Sequence, residues 1–173
     1  MNINLFFILI FIGLGSIFLF FKPLEVKQES FEDVPLFELS HFTLYELNRE
    51  KLSTVMHGDK AIRFDNRYRV DGINYTDNSE YYVANMRSNL GIYKDDIVDL
   101  KGDVTYTRED GLTFETQHAT YDKIKGIAST NVRFLAYRGS DRVEGAGLLY
   151  ENKENKARAK GVSAVYNLIT EEQ

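Results

Sequence analysis

Between Val98 and Thr116 apolar and polar residues alternate at every second position. That period belongs to a half-buried β-strand and excludes an amphipathic helix. Val98, Leu100, Gly102, Val104 and Tyr106 fall on one face, against Asp99, Lys101, Asp103 and Thr105 on the other. Asp110-Gly111 then marks a turn, and Leu112, Phe114 and Thr116 resume the alternation. Aspartate and glycine both tolerate the positive φ that tight hairpin turns need. Phe37 and Leu39, then Phe42 and Leu44, fit the same period with a break near Ser40-His41. Residues 61–64, 70–75, 81–86, 131–137, 143–150, 156–159 and 162–168 are further short strand candidates. No long amphipathic helical pattern occurs beyond the first 21 residues, so the expected class is all-β.

A faint internal echo runs through the second half. Phe114-Glu115, Ala119, Tyr121-Asp122 and Ala128 line up with Val143-Glu144, Leu148, Tyr150-Glu151 and Ala157, at an offset of 29 residues. Each copy reads as strand, turn, strand. Such a period suggests hairpins stacked in a roll, without covering helices.

The N-terminus has a different character. Ile3 to Phe21 carry no charge, and only Asn4, Gly13, Gly15 and Ser16 interrupt a run of Ile, Leu and Phe. Nineteen such residues make roughly 28 Å of helix, close to the thickness of a bilayer core. A cleaved signal peptide is the rival reading. It would show a basic start, a shorter apolar core and a small-residue cleavage site, none of which is evident. The expectation is a single transmembrane anchor over 1–21, a charged linker over 22–35, and an exported domain over 36–173. Gly13 and Gly15 put small residues near the middle of the anchor, where a second transmembrane helix can approach closely.

All the side-chain charge lies beyond residue 21. With 21 Lys+Arg against 26 Asp+Glu, the net charge of -5 belongs to residues 22–173, the linker and the exported domain together. An acidic balance argues against general nucleic-acid binding. Cys is absent, which excludes disulfides, thiol nucleophiles and Cys-based metal sites. His41, His57 and His118 have no metal-binding spacing, and no nucleophile elbow, P-loop or dinucleotide fingerprint is present. No cofactor is expected, and no enzyme activity. Asp95, Asp96 and Asp99 read as a solvated strand end. A roll rich in Tyr, Phe, Leu, Val and Ile can line an apolar trough for acyl chains, or it can pack shut as an ordinary core. Its terminal strands would leave backbone groups free to pair with another protein's edge.

An apolar anchor, then Val98-x-Leu-x-Gly102-x-Val104, Asp110-Gly111-Leu112 and Phe114-x-Thr116-x-x-Ala119-x-Tyr121-Asp122, resembles the LptC family of the lipopolysaccharide export machinery. Val132 and Val143-x-Gly145-x-Gly147-Leu148-x-Tyr150 are similar to that family and to its OstA-type relatives. The resemblance covers essentially the whole chain. It implies a twisted, open β-jellyroll of antiparallel strands in the periplasm, held to the inner membrane by one helix. It implies lipopolysaccharide as cargo, received from the subunits of an inner-membrane ATP-driven transporter and passed to a soluble jellyroll bridge protein. On this chain the lipid-facing candidates are Val104, Tyr106, Leu112, Phe114, Tyr121, Val132 and Phe134. Gly145, Gly147, Gly13 and Gly15 are the partner-interface candidates, because a missing side chain lets backbones approach. The alternative is an anchored envelope scaffold that pairs by its strand edges and carries no lipid.

Overall fold

The structure, a computed structural model, describes residues 34–49, 51–79 and 81–167. The expected anchor over 1–21, most of the linker and the residues after 167 lie outside them. Among the described residues there is no helix, and so none long and apolar enough to cross a membrane.

Among the described residues, alternation becomes one 12-stranded antiparallel sheet. Its first half is a plain meander: β1 (Phe37–Leu47), β2 (Leu52–Arg63), β3 (Tyr68–Asp77), β4 (Ala84–Lys94), β5 (Ile97–Arg108) and β6 (Thr113–Asp122). The second half consists of short pieces: β7 (Ile127–Thr130), β8 (Phe134–Arg138), β9 (Asp141–Gly145), β10 (Gly147–Glu151), β11 (Lys156–Lys160) and β12 (Ser163–Val165). At β6 the sheet forks. Residues 113–116 pair with β8, and residues 120–122 pair with β7. The β7 branch runs on to β10 and β11; the β8 branch runs on to β9 and β12. Each pair of pieces (β7 with β8, β9 with β10, β11 with β12) is therefore one long arm broken in the middle, and the meander continues to the end.

The same break crosses the first six strands as a crease. Side chains that face the packed interior come in pairs separated by two residues, where strict alternation would leave one. Leu39 and Phe42 flank Ser40-His41; Gly58 and Ala61 flank Asp59-Lys60; Val70 and Ile73 flank Asp71-Gly72; Ser88 and Gly91 flank Asn89-Leu90; Thr116 and Ala119 flank Gln117-His118. In β5 the step is one residue longer, with Lys101-Gly102-Asp103 between Leu100 and Val104, and the register shifts there against both neighbours. An extra residue on one strand bends it and tightens its twist. Four of the crease residues have positive φ: His41, Gly72, Gly102 and Asp103. The break in alternation at Ser40-His41 is thus the first point of the crease.

The driest packing lies over the crease. Val104 is 3% exposed, Phe134 5%, Leu100 7% and Ile73 8%. Met56, Tyr75 and Met86 from one side of it, and Val70, Val98 and Ala119 from the other, pack on Ile73, Leu100 and Val104. The two walls of the folded sheet therefore touch at its bottom.

The strand expected over 143–150 is two strands, because the crease falls at Ala146. The strand expected from 131 begins at Phe134, since Asn131 to Arg133 carry the break. The strand expected from 81 begins at Ala84. The 29-residue echo has a structural counterpart. Phe114 and Val143 fall on one cross-strand row, and Tyr121, Ala128, Tyr150 and Ala157 fall on another.

At the crease Asp59 lies against Gly72, where a Cβ would collide with its carboxylate, and Gly72 sits at φ +62. Gly72→Ala should cost about 1–3 kcal/mol in urea denaturation, from steric overlap plus left-handed backbone strain. In an Asp59→Ala background only the backbone part, about 1 kcal/mol, should remain. Equal penalties in the two backgrounds would show that the contact contributes nothing.

Candidate functional site

Cross-strand register sorts the inner face into rows, one residue from each successive strand arm. One row runs Leu44, Met56, Tyr75, Met86, Tyr106, Phe114, Ala136, Val143 and Ala164, apolar throughout apart from the tyrosine hydroxyls. Next to it, at the crease, lie Phe42 and Gly58, then Ile73 and Ser88, then Val104, Thr116, Phe134 and Gly145. Across the crease Ala61, Val70, Gly91, Leu100 and Ala119 form the next row. Beyond it come Phe37, Arg63, Tyr68, Tyr93, Val98, Tyr121, Ala128, Tyr150 and Ala157.

Burial falls off with distance from the crease. Ile73, Val104 and Phe134 are buried, while Met86, Tyr106, Phe114, Tyr121 and Tyr150 are half-buried. No large side chain among the described residues is completely enclosed. A closed core of a sheet this size would enclose several. This inner face is dry at the bottom and open along its walls. Its walls nevertheless resist charge: burial pushes the hydroxyls of Tyr75 and Tyr106 up from their ordinary pKa. Phe114 and Phe134 stack with ring centroids 5.7 Å apart, so wall and floor join through an aromatic pair.

The outer side of the crease is polar and stapled. Asp103 accepts from Asn89 Nδ2 at 3.0 Å and from Gln117 Nε2 at 3.0 Å. Asp99 meets Lys101 Nζ at 2.9 Å and His118 Nε2 at 2.5 Å. Partial burial works against the Asp99 carboxylate, but the hydrogen bonds from Lys101 and His118 outweigh it, and its pKa falls. At one end of the sheet Arg108 grips Asp110 at 2.7 Å, with Arg138 at 3.4 Å, and holds that carboxyl well below the usual carboxylate range. Asp99 and Asp103 are thus tied up on the outer side of the crease, and Asp110 is tied up at the end of the sheet. Among the described residues, no cluster of carboxylates and histidines has a metal-binding arrangement.

A family model described as "Lipopolysaccharide-assembly, LptC-related" matches residues 7–167. The chain belongs to the LptC family. It is therefore a component of lipopolysaccharide transport. No curated protein matches the sequence. Among solved structures, the crystal structure of LptH, the LptA homologous periplasmic component of the lipopolysaccharide transport device from Pseudomonas aeruginosa, is similar. It shares 9% identity over 80% of this chain and 99% of its own, with a TM-score of 0.44.

In this LptC-family chain the seven lipid-facing candidates fall into separate places. Tyr106 and Phe114 are neighbours on one wall. Val104 and Phe134 lie at the crease, either side of Thr116. Tyr121 is on the opposite wall, between Val98 and Ala128. Leu112 is in the β5–β6 turn, where its carbonyl accepts the Arg108 N–H at 2.8 Å. Val132 occupies the break between β7 and β8, half-buried. Sequence reading missed Met56, Ile73, Met86, Leu100, Tyr68 and Tyr93, all on the same face. Their signal was the alternation in β2, β3 and β4, interrupted at Asp59-Lys60, Asp71-Gly72 and Asn89-Leu90, and for Leu100 its place in the alternating run of β5.

Gly145 and Gly147 make their close approaches inside the sheet. A Cβ on Gly145 would lie 2.6 Å from the Phe134 ring and 3.0 Å from the Lys160 carbonyl; one on Gly147 would lie 3.2 Å from the Thr130 carbonyl. Gly13 and Gly15 lie outside the described residues. Among the described residues, the free edges are β1 on one side and β11 with β12 on the other. Every residue of β11 and β12 is exposed, as is every residue of β1 except Phe42.

A dry wall has a pH signature. An ordinary tyrosine ionises near pH 10, so the unfolded chain releases these protons first. The stability contributed by Tyr75 and Tyr106 should hold up to about pH 10 and be lost as pH rises through their higher folded values. A Tyr75→Phe/Tyr106→Phe variant should flatten this alkaline decline in urea midpoints measured from pH 8 to 12. Identical slopes would count against a charge-resisting wall.

Proposed function

We propose that this protein carries lipopolysaccharide on the inner face of its creased sheet, with acyl chains along the walls and the crease as the floor. The observation that supports this is an apolar face spanning the whole sheet that is half-buried and nowhere fully enclosed. Apolar surface left open to water is costly, at roughly 25 cal/mol per Å², and an acyl chain laid along it recovers that cost. The N-terminal segment holds the chain in the inner membrane with the sheet in the periplasm. Lipopolysaccharide arrives from the transporter's membrane subunits, through which ATP hydrolysis drives the transfer; this chain catalyses no reaction itself.

The free edges suit a relay. An exposed edge strand offers unpaired N–H and C=O groups to a neighbouring sheet. In this reading β11 and β12 take an edge strand of the soluble bridge protein and so continue the apolar face into the next domain. Gly145 and Gly147 act on that edge at one remove, by letting the last strand arms pack closely against Phe134 and Thr130. Those same exposed edges favour the second reading, a scaffold that pairs by its strands and binds no lipid.

Photo-crosslinking in cells separates the two. Crosslinkers at Tyr106 and Phe114 should capture lipopolysaccharide, a crosslinker at the buried Phe134 should capture less, and one at Glu115 on the outer face should capture none. Phe114→Glu should cut the adduct at Tyr106 by about tenfold or more, because a buried unpaired charge is expensive. If no inner position yields an adduct while β11 still crosslinks to a protein, the scaffold reading wins.

A further inference from the structure

Among the described residues, Arg63 is the single charged residue in the four central rows of the inner face; the next row, beyond Met56 and Tyr106 at the other end, holds Glu46, Asp77, Arg108 and Arg138. Arg63 does not stand alone. Arg63 Cζ lies 5.4 Å from the centroid of the Tyr68 ring. Tyr68 packs on Tyr93 with ring centroids 6.2 Å apart, and Lys123 Nζ lies 5.3 Å from the Tyr93 ring. The β2–β3 and β4–β5 turns enclose a cleft of about 310 Å³ there, whose lining includes Arg63, Arg67, Tyr68, Tyr93 and Lys94 together with Asp65 and Asp95. Asp96 is already engaged, accepting the Tyr93 hydroxyl at 2.8 Å.

These cations differ from most others on the sheet. Lys60, Arg69, Lys101, Arg108, Lys125 and Arg158 each contact a carboxylate. Among the described residues, no carboxylate pairs with Arg63, Lys94 or Lys123. Arg63 and Lys123 lie over aromatic faces instead, which hold a cation in place while leaving its N–H groups free to donate. The chain also enters the sheet at this end, where the Leu36 N–H donates to the Arg63 carbonyl at 2.8 Å.

We propose that Arg63, Lys94 and Lys123, gathered around the Tyr68–Tyr93 pair, form a subsite for a phosphate monoester carried on the head of the amphiphile. This rests on the carrier reading and gives the cargo an orientation: headgroup at the Arg63 end, acyl chains running from there over Val98, Leu100 and the crease. Arg67 also lines the cleft, over the Phe64 ring, so cations outnumber the two lining carboxylates there, which suits a group bearing between one and two negative charges, as a phosphate monoester does near neutral pH. The guanidinium can take two phosphate oxygens side by side, and the ammonium groups supply point charges. At the opposite end the facing guanidinium groups of Arg108 and Arg138 are both committed to Asp110.

The test uses the full-length protein in lipid nanodiscs and isothermal calorimetry with three probes. These are the diphosphorylated lipid anchor of lipopolysaccharide, the same lipid with its phosphates hydrolysed off, and inorganic phosphate. The wild-type protein should bind the phosphorylated lipid about tenfold or more tightly than the dephosphorylated one, as expected for charge-assisted bonds to one group. Arg63→Gln/Lys94→Gln/Lys123→Gln should bind both lipids alike, at the dephosphorylated affinity, with an unchanged melting curve because all three residues are exposed. A variant that keeps the phosphate preference overturns the subsite. So does inorganic phosphate bound as tightly as the phosphorylated lipid, which would place free phosphate in the cleft. Phosphorylated lipid bound by the wild-type protein alone, with the dephosphorylated lipid bound by neither protein, sinks acyl burial and leaves the subsite standing.

Discussion

The crease is the constraint on which the rest of this structure depends. A sheet folded along a line must give up ladder hydrogen bonds there, and buried backbone groups do not tolerate being left unpaired. Here side chains supply part of what is lost. Asp103 N–H donates to Gln117 Oε1 at 3.4 Å while the Asp103 carboxylate takes Asn89 and Gln117 on the outside. Thr116 Oγ1 donates to the Arg133 carbonyl at 2.9 Å across the fork. Apolar side chains fill the concave side of the same line and amide and acid groups bind its convex side. Neither set alone would hold two walls at an angle, because burial has no direction and hydrogen bonds here have little apolar mass to enclose.

That division explains which features were legible in the sequence. The alternation of β5 and β6, the Asp110-Gly111 turn and the all-β class follow from local chemistry, since period two and turn residues act over a few positions. The crease was visible only as a fault at Ser40-His41. At each other strand the two-residue step mimics an ordinary irregularity, and only cross-strand register shows that Asp59-Lys60, Asn89-Leu90 and Gln117-His118 share one line. The missed residues follow from the same cause. Met56 and Met86 were invisible as site residues because each lies beyond a step from the nearest well-patterned stretch. Arg63 is the last residue of β2, and nothing local indicates that its row faces inward.

Sequence chemistry and structure also meet in the glycines of the last arms. Gly145 and Gly147 flank Ala146, where one long strand becomes β9 and β10. Side chains at either would push against Phe134 or against the Thr130 carbonyl, which lie in the two branches of the fork. These positions therefore govern how closely β11 and β12 are drawn to the body of the sheet. A backbone edge useful to a partner must be exposed and yet held in register, and the packing beneath Gly145 meets the second need without covering the edge. Lys156, Arg158 and Lys160 meet a related need along β11, since charged side chains on an edge strand oppose indiscriminate sheet pairing.

A chain of net charge -5 that handles an anionic amphiphile is a contradiction only if charge is averaged over the molecule. At physiological ionic strength exposed charges are screened beyond roughly 8 Å, so what matters to a ligand is the charge it touches. The carboxylates Asp99, Asp103, Asp110 and Asp122 are tied into hydrogen bonds with Lys101, Gln117, Arg108 and Lys125. Apart from Ser88 and Thr116, the four central rows that face inward hold hydrocarbon and tyrosine with Arg63 as their one charge, and charged side chains return only in the end row of Glu46, Asp77, Arg108 and Arg138. Acidic groups thus lie on the convex side, in the loops and at the end row, where they favour solubility and repel like surfaces, while the central rows of the concave side are free to select by apolar contact.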